Sequence, residues 1–248
     1  MSRAAAFLFA IVAYAIFFAT FLYLIAFVGD LPVPETVDLP PSALAPLGAA
    51  FVDVALIALF GLQHSVMARP GFKRGWTRIV PPAIERSVYV LCGSIALLIL
   101  FWFWQPIGGT VWLVSPNTGW LTFILWAGFW AGFGIVLVST FLINHFELFG
   151  LQQAWLNMRG QHSEAPELRQ PLFYKWVAHP LYAGFFLAFW STPHMTLGHL
   201  LLAIGLSIYM LVAIRYEEQD LTDLFGEDYR QYRSSVGMLV PRFRRRSL

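Results

Sequence analysis

The chain has 248 residues, 58% of them hydrophobic and only 12% charged. Soluble domains carry about 25% charged residues, so composition excludes an ordinary water-soluble domain and indicates an integral membrane protein. The net charge of +2 sums sixteen cations and fourteen anions, and their placement along the chain is more informative than the sum.

The first apolar stretch, 4–28, is uncharged and exceeds the about 20 residues that a spanning helix needs. It is too long for the apolar core of a cleaved signal peptide and reads as a retained span. Residues 29–43 carry Asp30, Glu35, Asp38 and four prolines without a cation, and form a loop. The second span, 44–68, contains Asp53 and ends in Gln63-His64-Ser65. Residues 69–86 hold five cations, Arg69, Lys73, Arg74, Arg78 and Arg86, against Glu85 alone, and Pro81-Pro82 breaks any helix there.

A third span covers 88–104, and an uncharged loop rich in Gly and Pro covers 105–118. The fourth span, 119–143, has Gly128 and Gly132 in the spacing that lets helix backbones approach in lipid. A long polar region, 144–178, opens with Asn144, His145 and Glu147, with Gln152 and Gln153 one to two turns on. The last apolar segments, 176–190 and 196–214, form a hairpin whose first arm is short for a full crossing. A polar helical tail from Arg215 is punctuated by Gly226. The fold class is therefore an all-α integral membrane protein, with five to six transmembrane helices including a C-terminal hairpin, then a cytoplasmic helical tail.

All sixteen Lys and Arg fall at one end of such a threading, and the loops at the other end have none. The positive-inside rule then puts both termini in the cytoplasm, in the cell (inner) membrane. Residues 1–145 read as a substrate-side scaffold and 146–248 as a second, cofactor-binding half of one integrated domain. Cys92 is the single cysteine, so no disulfide forms within the chain. No HExxH, paired-Cys, GxGxxG or P-loop pattern occurs, so no metal is expected and no soluble-type nucleotide fold. Nucleic acid is not an expected partner; membrane lipid is.

Ionisable groups inside spans are costly and face an interior or a cavity. Asp53 reads first as a buried carboxyl paired to a helix or a water, and second as a substrate or proton site. His64 and His145 have the depth to meet each other and His179, either as chemistry or as an interfacial polar band. His194 and His199 read as solvent-facing turn residues, and His162 as a loop residue. Pro180 suits the first position of a helix, which puts His179 at its N-cap, where the dipole favours an anionic group. Tyr182 faces the same mouth. Of Glu217 and Glu218, one is placed to accept hydrogen bonds from a sugar diol, and the other to pair with Arg215 or snorkelling cations. The repeat Leu221, Leu224, Phe225, Tyr229, Tyr232 reads first as a packing stripe and second as a wall for a base.

The segment Ala178-His179-Pro180-Leu181-Tyr182, with Arg215-Tyr216-Glu217-Glu218, Phe225-Gly226, Tyr229, Tyr232 and Pro241, resembles the isoprenylcysteine carboxyl methyltransferase superfamily. There an Arg-His-Pro-x-Tyr motif and a Glu-Glu tail close over S-adenosylmethionine. The resemblance implies a cofactor site of His179, Pro180, Tyr182, Arg215, Glu217, Glu218 and Tyr229. Ala178 departs from the motif's arginine, leaving Lys175 or Arg215 to replace it. Gly61 to Arg69, with Glu85-Arg86-Ser87-Val88-Tyr89, resembles the NnrU-type proteins. Asn144 to Gln153 resembles the methanethiol S-methyltransferases among them. That resemblance implies methylation of a small thiol, with His145 and His64 as candidate bases, Glu147 as orienter, Gln63, Asn144 and Gln152 toward substrate, and Trp155 or Tyr182 offering an aromatic face to a sulfonium. Methylation of another thiol or of isoprenylcysteine carboxylate, a nicotinamide-dependent reductase, and a non-enzymatic NnrU-like protein are the alternatives.

Overall fold

The structure, a computed structural model, describes residues 1–115, 118–161 and 167–242. His162 and the arginines at 244–246 lie outside these residues. Five helices are long and apolar enough to cross a membrane: α1 (Arg3–Val28), α2 (Pro46–Ala68), α4 (Pro82–Phe103), α5 (Gly119–Ile143) and α9 (Leu197–Phe225). Between them lie the short helices α3 (Pro70–Trp76), α6 (His145–Leu148), α7 (Leu151–Arg159) and α8 (Pro180–Trp190), and α10 (Glu227–Ser235) follows α9. At 11 residues α8 is about 17 Å long, roughly half the hydrocarbon thickness, so the short arm expected from sequence is a partial one.

Helix starts follow local chemistry. Ser2 accepts the Ala5 N–H and caps α1, and prolines occupy the first positions of α2, α3, α4 and α8. The Pro81-Pro82 pair therefore starts α4 rather than merely interrupting the chain. That brings Glu85 and Arg86 onto the helix, six residues before the expected start at 88. Gly226, at φ +60°, ends α9 and turns the chain into α10.

Lipid supplies no hydrophobic drive between helices, so packing rests on close approach and buried polar contacts. α5 and α8 meet backbone to backbone at Gly132 and Gly184. A β-carbon on either glycine would fall 2.6 Å from the carbonyl oxygen of the other. An aromatic core of Phe27, Phe101, Phe129 and Phe133, with Leu100 and Leu202, fills the bundle.

One end of the bundle is a polar knot. Asp53 on α2 is fully buried and accepts the Gln105 N–H at 2.8 Å, at the end of α4. Trp104 donates to the Val37 carbonyl at 3.1 Å, and Thr196 donates to Asp38. The loop read as irregular contains β1 (Thr110–Leu113), which pairs antiparallel with β2 (His194–Thr196). His199 is not solvent-facing: it is 2% exposed, its N–H bonds Thr196, and its Nε2 lies 3.0 Å from the Phe189 carbonyl. The α8–β2–α9 turn buries it.

Burial, offset in part by Thr196 and reinforced by Asp30, lifts Asp38 to about 7. A carboxyl whose folded pKa is raised contributes stability below its unfolded value near 4, and that stability is lost as pH rises through 7. Asp38→Asn keeps an acceptor for Thr196 and removes the buried charge. Its thermal midpoint in detergent is expected to exceed that of the unaltered protein at pH 8 and to match it at pH 4. Equal shifts at both pH values would remove the buried charge as the cause.

Candidate active site

At the other end a cavity of about 930 Å³ opens among α1, α2, α4, α5, α8 and α9. Its lining runs along α4 from Pro82 to Leu97 and along α9 from Leu206 to Phe225. The mouth carries Arg69, Lys73, Glu85, Arg86, Glu217 and Asp220; the interior carries Leu97, Phe185, Phe189, Leu206 and Met210. The volume falls within the roughly 300–1,000 Å³ of small-molecule sites, and a mostly apolar wall with a few convergent polar groups is the usual composition.

The stretch leading into α8 is fastened by the tail. Val177 and Gly237 form a parallel bridge, in which Ala178 N–H donates to the Gly237 carbonyl at 2.8 Å, His179 N–H to Met238 at 3.1 Å, and Gly237 N–H back to Trp176 at 3.1 Å. His179 is the N-cap of α8, 4% exposed, with Nε2 3.0 Å from Glu218 Oε1. Arg233 of α10 bonds the same carboxylate oxygen. Tyr182, one turn along α8, donates to Glu217 Oε2 at 2.9 Å. Adjacent glutamates on α9 thus do different work. Glu217 lines the cavity, whereas Glu218 ties α8, α9 and α10 together.

Of the residues proposed for the cofactor, His179, Tyr182 and Glu217 line the cavity, and Pro180, Arg215, Glu218 and Tyr229 do not. Arg215 is exposed, as is Lys175, so neither brings the charge that Ala178 lacks. Tyr229 is buried with Ala178, Tyr232 and Val236 in a small core that docks α10. That burial raises its phenol pKa. The aromatic stripe of the tail therefore divides: Tyr229 and Tyr232 pack, while Leu221, Leu224 and Phe225 line the cavity. Trp155 packs on Phe7 and Arg159 and does not line it.

The three histidines share the cavity wall, but each is held separately. His145 is 3% exposed and stacks on Phe141 at 4.0 Å. Its Nδ1 is 2.8 Å from Thr140 Oγ1 and its Nε2 2.7 Å from the Tyr14 hydroxyl. Thr140 spends its own hydrogen on the Leu137 carbonyl at 2.7 Å. It therefore accepts from Nδ1–H, and Nε2 accepts from Tyr14. Burial also lowers the pKa of His145, which favours this neutral form. Both ring nitrogens are engaged, which suits a joint between α1 and α5.

His64 is different. Its Nε2 is 2.6 Å from the Tyr89 hydroxyl, while Nδ1 is buried without a partner among the described residues. Phe60 stacks on the ring at 5.4 Å, and Nδ1 lies against Gly93, 3.2 Å from where a β-carbon there would sit. Gln63 turns away, donating Nε2 to the Met67 sulfur at 3.0 Å, and does not line the cavity.

Between α5 and α6 the extended backbone of Asn144 breaks the helix. Asn144 Nδ2 reaches Glu147 Oε2 at 2.9 Å and Gln152 Oε1 at 2.6 Å, and Arg86 and Arg169 take the Leu148 and Ile143 carbonyls. Asn144, Glu147 and Gln152 all line the cavity. Tyr14 and Tyr89 were not singled out from sequence. Tyr89 lay within the quoted Glu85–Tyr89 match; Tyr14 lies in an uncharged span with no local signal.

S-adenosylmethionine offers a base, a ribose diol, a sulfonium, an ammonium and a carboxylate. The cavity presents the matching donor set: carboxylates at Glu217 and Asp220, cations at Arg69, Lys73 and Arg86, and aromatic faces at Tyr174 and Tyr182. The residues present fit that group.

The chain is 50% identical over 242 residues to the methanethiol S-methyltransferase of Mycobacterium tuberculosis, covering 97% of this chain and 98% of that protein. It is 50% identical over 218 residues to the methanethiol S-methyltransferase of Pseudomonas deceptionensis, covering 88% and 82%. More distantly, it is 31% identical over 191 residues to nurim of Pan troglodytes, covering 73% and 70%. No protein-family model matches the chain, and no solved structure does.

Proposed function

The chain belongs to the methanethiol S-methyltransferase family of membrane methyltransferases, and from that premise we propose that it methylates methanethiol to dimethyl sulfide with S-adenosylmethionine at the cytoplasmic face of the cell membrane. The observation that carries the reading is the half-identity to proteins of that name over nearly the whole chain. The geometry adds a cavity whose mouth is charged and whose interior is mostly apolar. Both halves of the tail motif lie at its cation-rich end, which the positive-inside rule assigns to the cytoplasm.

His179, Tyr182 and Glu217 hold the donor side: Glu217 offers its carboxylate to the ribose diol, and Tyr182 fixes the rotamer of Glu217. When bound, S-adenosylmethionine supplies the methyl group, the new C–S bond to the thiolate forming as the sulfonium C–S bond breaks with its electron pair on the cofactor sulfur. A free cysteine thiol has a pKa of about 8.5, and a simple alkyl thiol is no more acidic, so a base at the site matters. His64 acts as the base in the tautomer that donates Nε2–H to the Tyr89 hydroxyl and leaves the lone pair on Nδ1, an atom that must be uncovered from Gly93 to take the thiol proton. His145 positions α1 against α5 and does not act as the base. The Asn144–Glu147–Gln152 network lines the cavity and supports its substrate side.

The test is thermal stabilisation of the purified protein by S-adenosylmethionine, then headspace detection of dimethyl sulfide from added methanethiol. No stabilisation defeats every methyltransferase reading. His64→Ala is expected to keep the stabilisation and lower turnover at neutral pH by roughly 100-fold or more, the scale of general-base catalysis. Partial recovery is expected as pH rises and the thiol ionises unaided. Unchanged turnover would remove His64 from the chemistry.

A further inference from the structure

The positive-inside rule asks for cations in the segment 69–86 but does not say where they point. Arg74 and Arg78 are exposed, as that rule alone would have them. Arg69, Lys73 and Arg86 are half-buried instead, and all three line the cavity mouth. Three like charges turned inward repel one another, and burial makes the repulsion stronger. Lys73 registers it: burial, then the nearby Arg86 charge, pulls its pKa down, against the opposing pull of Glu85 and Asp220.

Three carboxylates, Glu85, Glu217 and Asp220, line the same mouth, but among the described residues only Asp220 forms an ion pair with the group. Arg69 pairs with Asp220 at 3.2 Å and lies over the Tyr216 ring. Arg86 gives Nε to the Leu148 carbonyl and lies over Tyr89, but has no carboxylate within ion-pair distance among the described residues. Lys73 has neither an ion pair nor a side-chain hydrogen bond among them. A half-buried cationic cluster at the mouth of a cavity, held by α2, α3 and α4 rather than by the tail, is an arrangement that calls for a ligand anion.

We propose that Arg69, Lys73 and Arg86 form the subsite for the carboxylate of the methyl donor's amino-acid arm, with Asp220 beside them for its ammonium group. The inference rests on the proposed use of S-adenosylmethionine. It assigns the first half of the chain, not the tail alone, a share in holding the donor, and it supplies the cationic charge that Ala178 does not.

The experiment is calorimetric binding of two ligands in a nonionic, phosphate-free detergent, so that no lipid phosphate competes. S-adenosylhomocysteine carries the amino-acid arm; 5′-methylthioadenosine lacks it. The unaltered protein should prefer the first by about 100-fold. Lys73→Met, which breaks no hydrogen bond, should weaken S-adenosylhomocysteine roughly ten-fold, the scale of one charge-assisted contact, and leave 5′-methylthioadenosine unchanged. Arg86→Gln should do the same, with 5′-methylthioadenosine binding reporting that the protein is folded. Arg74→Met, an equal loss of charge on the exposed face, should change neither ligand. An unaltered preference in Lys73→Met, or equal losses for both ligands, overturns the subsite while leaving the donor assignment standing. If the unaltered protein binds neither ligand, the donor assignment falls and the subsite with it.

Discussion

Gly132→Leu is expected to yield no stable folded protein, whereas Gly134→Leu, two residues along the same helix, is expected to be close to neutral. A β-carbon at 132 would sit 2.6 Å from both the Ala188 nitrogen and the Gly184 carbonyl oxygen; at 134 nothing lies within 4 Å. The obstructing atoms at 132 are backbone, so no rotamer change relieves them, and α8 must move as a body. Overpacking a core costs about 1–3 kcal/mol even where side chains can yield, against a total stability on the order of 5–15 kcal/mol. Moving α8 also displaces His179 and Tyr182, so any residual protein should lose donor binding. Thermal unfolding of both variants in detergent is the measurement, and a Gly132→Leu protein with an ordinary midpoint would mean that α5 and α8 do not meet in this way.

Glu217→Ala is expected to weaken S-adenosylhomocysteine binding by roughly 30- to 100-fold, with the fold intact. Removing the carboxylate deletes a charged acceptor at the cavity wall and strands the Tyr182 hydroxyl that bonded it at 2.9 Å, together about 2–3 kcal/mol. Glu218→Ala makes the contrast. It releases His179 and Arg233 from a shared carboxylate, so its main effect should fall on the docking of α10. Limited proteolysis should then cut the tail sooner, at an unchanged ratio of the two ligand affinities. If the two variants behave alike, adjacent glutamates do not divide the work as the geometry has it.

The membrane spans were legible because they are set by length and the absence of charge, and the glycine spacing in 119–143 did mark a backbone-to-backbone helix contact. The pairing of the His-Pro-x-Tyr stretch with the Glu-Glu tail was also legible, since both are local patterns with a family resemblance. Side-chain direction was not. Hydropathy is nearly uniform around helices whose outer face meets lipid, so nothing in the sequence separates Arg74, turned outward, from Lys73, turned toward the cavity. The same blindness misplaced His199, whose neighbours Leu197 and Leu200 gave no sign that a turn would cover it. Nor could sequence tell a histidine with both nitrogens engaged from one with a free nitrogen. Tyr14 and Tyr89 make that difference, and they come from helices 131 and 25 residues distant in sequence from their histidines.

The bridge between Val177 and Gly237 also has a bearing on timing. His179 is held by backbone partners synthesised some 60 residues after it. Until those partners fold back, the stretch before α8 has no backbone bonds of this kind to hold it. The proposed donor side is thus completed only when the tail has folded back onto the stretch before α8. Premature termination anywhere in α10 should leave a fully inserted protein that has never held its methyl donor.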